Sequence, residues 1–161
     1  IALRASQTGH LVLATIHCDS NATALIRLLD LGISPLLLSS GLSLVMSQRL
    51  LRCLCEECKQ PAELSDSHVA QFNKKGIDHS GIFEASQCKQ CNHTGYFGRT
   101  AACDLLVVDE HVKAQIAQGE SFLAYLKTEG MKKGRSNLRK QGLKKVVSGI
   151  TSLKELKRVV G

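Results

Sequence analysis

Tryptophan is missing from this chain of 161 residues, and other aromatics are scarce: two tyrosines and four phenylalanines. That is a thin supply for the stacked-base surfaces of single-strand binders, so no nucleic-acid partner is expected. Long apolar runs are also missing. The longest candidate, Gly32 to Met46, is broken by Pro35 and by Ser34, Ser39, Ser40 and Ser43, and falls short of the roughly 18 residues of a membrane span. There is no Gly-x-x-x-x-Gly-Lys-Ser/Thr loop. The one spacing of interest, Gly76 to Gly81, is followed by Ile82, so this chain lacks the cradle that holds nucleoside triphosphate phosphates. A Gly-x-Ser-x-Gly elbow, a His-Glu-x-x-His pair and an obvious pair of catalytic carboxylates are missing too. Nothing reads as a secretory signal peptide, so an oxidising compartment is not indicated.

What the chain does have is two Cys-x-x-Cys turns, Cys55-Glu-Glu-Cys58 and Cys88-Lys-Gln-Cys91. Each brings two sulfurs to one side of a tight turn. Two such turns face to face supply four thiolates at tetrahedral reach, the donor set of structural zinc. The stretch between them, Lys59 to Gln87, has 29 residues, more than the roughly 15–20 of a compact ribbon, so the knuckles are expected to enclose a small subdomain. Disulfides or free thiols are the competing reading. Cys18, Cys53 and Cys103 are left over and read as ordinary buried or half-buried thiols, with Cys53 a weaker competitor for Cys55 as a ligand.

Charge is unevenly spread. The net +7 divides into 11 Lys/Arg against 2 Glu from Lys127 to Gly161, and 10 Lys/Arg against 12 Asp/Glu before it. The basic tail suits nucleic acid, anionic lipid or an acidic partner, or is simply a solvated helical face.

Leu11 to Ile16, apolar and β-branched, reads as a buried strand of a parallel sheet. Asp19 or Ser20 can cap a helix over about 20–31 that ends at Gly32, and Pro35 starts a second helix running to about Met46. A short helix is expected near 62–72, stopping at Asn73-Lys74-Lys75-Gly76. A strand over 101–108, a helix capped by Asp109, and further helices near 121–130, 136–148 and 152–160 follow. In the last, Leu153, Leu156, Val159 and Val160 form one stripe, and Ser152 with Glu155 fits a capping box. The fold class is α/β, then a metal knuckle, then a helical tail.

Three further residues stand out. His10 and His17 bracket the 11–16 run, and His17 falls at the expected C-terminal strand end, where open α/β sheets bind ligands; a lone histidine there is also an ordinary structural residue. Arg99, in Gly98-Arg99-Thr100, follows the second knuckle closely and is placed for a fixed contact to phosphate or carboxylate, or is a surface arginine in a turn.

In this order the motifs resemble the C-terminal part of the secretion ATPases of type II secretion and type IV pilus assembly. The residues that carry the resemblance are Thr8-Gly-His10 through His17 (a histidine box), Ile26-Arg27-Leu28, Leu31-Gly-Ile33, Gln48-Arg-Leu50, the four cysteines, Cys91-Asn-His-Thr-Gly95-Tyr, Gly98-Arg-Thr100, Gly142-Leu143 and Gly149-Ile-Thr-Ser-Leu153. The resemblance implies a RecA-like P-loop ATPase that works as a homo-hexamer in the cytoplasm, peripheral at the inner membrane beside platform proteins. ATP and Mg2+ would be bound by the full-length protein, and the phosphate loop and catalytic glutamate would lie upstream of Ile1. It implies three regions here: 1–52 as the end of the ATPase core, 53–95 as the zinc subdomain and 96–161 as a closing strand with a helical region. His10 and His17 would couple the nucleotide site to the sheet, Arg99 would serve activity, and zinc on Cys55, Cys58, Cys88 and Cys91 would be structural. The fragment alone is then expected to hydrolyse no ATP. Ala101-Ala-Cys-Asp104 and Leu138-Arg-Lys-Gln-Gly142 depart from the usual Gly-Ile-Phe-Glu and Leu-Arg-Glu-Asp-Gly. The alternative is a stand-alone zinc-ribbon module whose basic tail binds nucleic acid.

Overall fold

The computed structural model describes residues 2–161, with side chains described outside 129–136; the Lys132, Lys133 and Arg135 side chains of the basic tail therefore lie outside the described residues. The elements in chain order are α1 (Ala2–Gln7), α2 (Asn21–Asp30), α3 (Pro35–Gly41), β1 (Leu44–Leu54), β2 (Gln60–Pro61), α4 (Asp66–Lys74), β3 (Phe83–Glu84), β4 (Tyr96–Val107), α5 (Glu110–Ala117), α6 (Glu120–Tyr125), a π-helical turn (Leu126–Gly130), α7 (Met131–Val147) and α8 (Leu153–Val160). Strands β1 and β4 are hydrogen-bonded neighbours, as are β2 and β3. The chain divides into two compact units, residues 1–48 with 103–137 and residues 49–102 with 138–161.

In the first unit, α2 starts where a reciprocal cap closes. Thr23 N–H donates to Ser20 Oγ at 3.2 Å and Ser20 N–H donates to Thr23 Oγ1 at 2.9 Å. This satisfies two orphan amides at once, so Ser20 rather than Asp19 is the cap. Ser34 caps α3 and Pro35 opens it, as a residue with fixed φ and no N–H to lose should. The helix ends at Gly41, where α1 lies so close that a Cβ would stand 3.1 Å from Leu3 O and from Ser6 Oγ. Leu25, Leu38, Val108, Ile116 and Phe122 form the core. Asp104, itself buried, accepts from Asn21 Nδ2 at 3.0 Å and Asn137 Nδ2 at 2.9 Å, tying the start of α2 and the first part of α7 to β4.

In the second unit, Leu51, Ile82, Ala102, Val146 and Leu156 form a separate core, with Leu153 and Val159 packed against it. The α8 stripe read from the sequence is therefore the one that packs inward.

Three expectations need correction. Residues 10–18 form no strand, and Leu11 and Leu13 are each 87% exposed. Neither two-stranded pair among the described residues includes them, and a strand without a ladder partner has nothing to satisfy its backbone. The second helix stops at Gly41, and Leu44–Leu54 is strand β1. The Ser152/Glu155 box is only half made: Glu155 N–H donates to Ser152 Oγ at 3.1 Å, while the Glu155 carboxylate turns to Arg52 and Arg158.

Candidate metal centre

The Sγ atoms of Cys55, Cys58, Cys88 and Cys91 all lie within 4.8 Å of one another. Cys55 follows the last residue of β1, and Cys88–Cys91 falls in the turn region before β4. The first knuckle is folded by Cys58 N–H and Lys59 N–H, which donate to Cys55 O at 3.3 and 2.9 Å. The second is folded by His93 N–H donating to Cys88 O at 2.9 Å, with Asn92 and His93 both left-handed at φ 50° and 59°. Asparagine tolerates that region better than most residues. The knuckles are tied together by Cys55 N–H donating to Gly95 O at 3.0 Å.

The insert between them is closed at its base. Strands β2 and β3 pair antiparallel, Gln60 with Glu84 and Pro61 with Phe83, and Ala62 N–H donates to Ile82 O at 3.0 Å. Helix α4 lies between the two strands in the chain.

The donor set fits zinc. A tetrahedron with metal–sulfur bonds of about 2.3 Å has sulfur–sulfur edges of about 3.8 Å. The Sγ pairs Cys55–Cys88, Cys58–Cys91 and Cys88–Cys91 stand 3.8, 3.9 and 3.6 Å apart. Cys53 is not among the sulfurs that converge, whereas Cys55 is. Gly95 N–H donates to Cys91 Sγ at 3.2 Å, a support that favours the thiolate form.

Burial pushes the Cys55 thiol up, and burial with hydrogen bonds to neighbouring thiols pushes Cys58 up to about 12. At Cys91 the upward push of burial is outweighed by hydrogen bonds with the backbone at Cys88 and Gly95 and with the Cys88 and Cys58 thiols, which hold it at about 6. A divalent cation is the charge that lets a coordinating thiol deprotonate outright. A four-thiolate set leaves no open position for water, so the chemistry such a metal would supply is cross-linking.

The remaining candidate residues lie elsewhere. His10 is exposed, with its Nδ1 3.0 Å from Thr8 Oγ1, and His17 is exposed, with its carbonyl accepting from Arg27 Nη1 at 3.1 Å. Both belong to the first unit, whereas Arg99 is exposed on β4 in the second. Sequence reasoning missed the cluster in which Arg52, Arg158, Tyr96 and Ser152 gather at the buried Glu155. Glu155 is an acid in a strongly basic tail, and that isolation is the signal that could have found it.

Fold and centre together define a mixed α/β protein with a four-cysteine centre set between its strands. The pattern of the Type II/IV secretion system protein family matches residues 1–158, and the chain belongs to that family. It is 42% identical over 159 residues to the type II secretion system protein E of Dickeya dadantii (strain 3937), covering 99% of this chain and 31% of that protein. It is 41% identical to the type II secretion system ATPase E of Vibrio cholerae, with the same coverage. Against the type IV pilus assembly ATPase PilB of Myxococcus xanthus the identity is 38%, over 97% of this chain and 28% of that protein. The chain thus spans about three tenths of the length of these relatives. Among the described residues no helix is long and apolar enough to cross a membrane.

Proposed function

We propose that this chain is the C-terminal portion of a hexameric ATPase, with a RecA-like core, that powers type II protein secretion or type IV pilus assembly. In this reading, Cys55, Cys58, Cys88 and Cys91 hold one structural zinc. His10 and His17 couple the nucleotide site to the sheet, and Arg99 makes a contact needed for turnover. ATP and Mg2+ are bound by the whole protein, which works in the cytoplasm against inner-membrane platform proteins. The observation that carries the reading is the family match across residues 1–158, with relatives named as secretion and pilus ATPases that are about three times longer.

The division of labour is testable. Phosphoryl transfer of this kind rests on positioning and charge stabilisation by a phosphate loop, which this chain does not contain. Phosphate release by the chain alone should therefore stay at the buffer baseline. The intact protein that carries it should turn over ATP, and His17→Ala or Arg99→Ala in that protein should slow turnover by at least about tenfold. ATP hydrolysis by a clean preparation of the chain alone would overturn the reading.

A further inference from the structure

The four-cysteine centre and the C-terminal helix α8 meet at the end of β1 and the start of β4. On β1, Leu54 N–H donates to Ile150 O at 2.8 Å, in the turn leading to α8, and the next residue is Cys55. Two positions earlier, Arg52 gives Glu155 of α8 three hydrogen bonds: backbone N–H to Oε1 at 3.1 Å, Nε to Oε2 at 3.0 Å and Nη2 to Oε2 at 2.7 Å. The Arg52 carbonyl in turn accepts from Thr151 Oγ1 at 2.7 Å. Just before β4, Gly95 donates to Cys91 Sγ and accepts from Cys55 N–H. Its neighbour Tyr96 lies with its ring 4.1 Å from the Arg52 guanidinium and its hydroxyl 2.8 Å from Ser152 Oγ. Ser152 is the cap of α8. Each strand next to a ligand turn is therefore tied to α8, its cap or the turn that leads into it.

We infer that metal loading of the four-cysteine centre and docking of α8 are one linked equilibrium, with Tyr96 and Ser152 as the positioning residues that transmit it. This rests on the reading that the centre holds zinc. The eight residues of α8 are too few to hold a helix alone in water, so its order depends on the cap and on the anchors along β1 and β4. Those anchors keep their geometry only while Cys55 and Gly95 keep theirs, and a cross-link through the four sulfurs fixes both. Linkage makes the effect reciprocal: the factor by which zinc strengthens α8 docking is the factor by which docked α8 strengthens zinc binding.

The test uses the whole chain. Zinc content after purification separates the two readings. A chain that takes up no zinc overturns the metal centre and this inference with it, whereas one zinc per chain with an indifferent α8 overturns the inference alone. Hydrogen exchange then reports on the amides of Leu153–Val160. These should exchange at least about tenfold more slowly in the zinc-loaded chain than after chelation, while amides of α5, in the other unit, stay unchanged. Equal loss across α5 and α8 would mean general unfolding and would count against the inference.

From the other side, Ser152→Ala and Tyr96→Phe touch no sulfur, yet each should weaken zinc by about tenfold in chelator competition. Tyr96→Phe keeps the ring beside Arg52, so it serves if Ser152→Ala does not fold. Zinc affinity that stays at the wild-type value in a folded Tyr96→Phe chain whose α8 exchanges faster would overturn the proposal.

Discussion

Glu155 and Arg52 are separated by 103 positions in sequence, yet Arg52 binds the Glu155 carboxylate with its guanidinium and with its own backbone N–H. Arg158 completes the clamp with two more hydrogen bonds, at 2.8 and 2.7 Å. None of the Glu155 side chain is exposed, while those of Arg52 and Arg158 are 42% and 58% exposed. The acid is thus taken out of water, while both cations stay partly hydrated.

That asymmetry sets a pH dependence. The Arg158 hydrogen bonds, against the opposing effect of burial and together with those from Arg52, hold the Glu155 carboxyl at about 2. The folded value lies below the unfolded one, so the stabilisation is complete above the ordinary carboxylate range and is lost as pH falls toward 2. The shift corresponds to about 3 kcal/mol, and the hydration of the two arginines reduces this to about 2 kcal/mol. Glu155→Gln should cost that much in denaturant unfolding at pH 7. The gap between variant and wild type should close as the pH is lowered through about 4 to 2. A gap that is constant with pH would show that the carboxylate's charge is not what stabilises the helix.

Gly95 is constrained twice. Its φ is +76°, and a Cβ there would run into Ser86 O and stand 2.6 Å from Ala85 Cβ. Gly95→Ala therefore combines a left-handed backbone with a collision against main chain, which should cost about 2–4 kcal/mol. It should also loosen the Cys91 turn, since the Gly95 N–H is the donor to Cys91 Sγ. Thermal unfolding and zinc affinity should fall together.

In the first unit, Ser20→Ala removes one half of the reciprocal cap that opens α2. Such caps contribute about 1 kcal/mol, and equilibrium unfolding in urea is the check. Asp19→Ala should cost less than Ser20→Ala, because the structure gives the capping role to Ser20.

These cases show why some elements could be read directly and others could not. Caps and stops are local chemistry, so the Asp19–Ser20 pair, Pro35, Asp109 and Ser152 marked their helices in advance, and the α8 stripe gave the buried face of that helix. The cysteine spacing likewise held its meaning, because two tight turns and a donor set need little context. Strand β1 was obscured because one of its alternating faces is apolar yet exposed, with Leu44, Met46 and Leu50 all at least half exposed. Its first residues then read as the tail of a helix. The 11–16 run failed for the opposite reason: its composition is that of a buried strand, but a strand is made by its neighbours, and no ladder partner for it exists among the described residues. The Glu155 clamp joins residues far apart in sequence, which no local pattern encodes.

The sharpest check of the metal centre is a cysteine scan. All seven cysteines are free of disulfides in the structure, but only Cys55, Cys58, Cys88 and Cys91 converge. Serine at any of those four leaves three sulfurs and a hydroxyl that does not ionise near neutral pH. Zinc retained after dialysis should then drop from about one per chain to less than about a fifth, and the insert should lose structure, because metal binding there is part of the folding free energy. Cys53→Ser is the informative control. Cys53 lies only two residues from Cys55, and its thiol is pushed up by burial. It should keep its zinc if coordination follows the structure, and should lose it if the sequence-level ambiguity between Cys53 and Cys55 resolves the other way in solution.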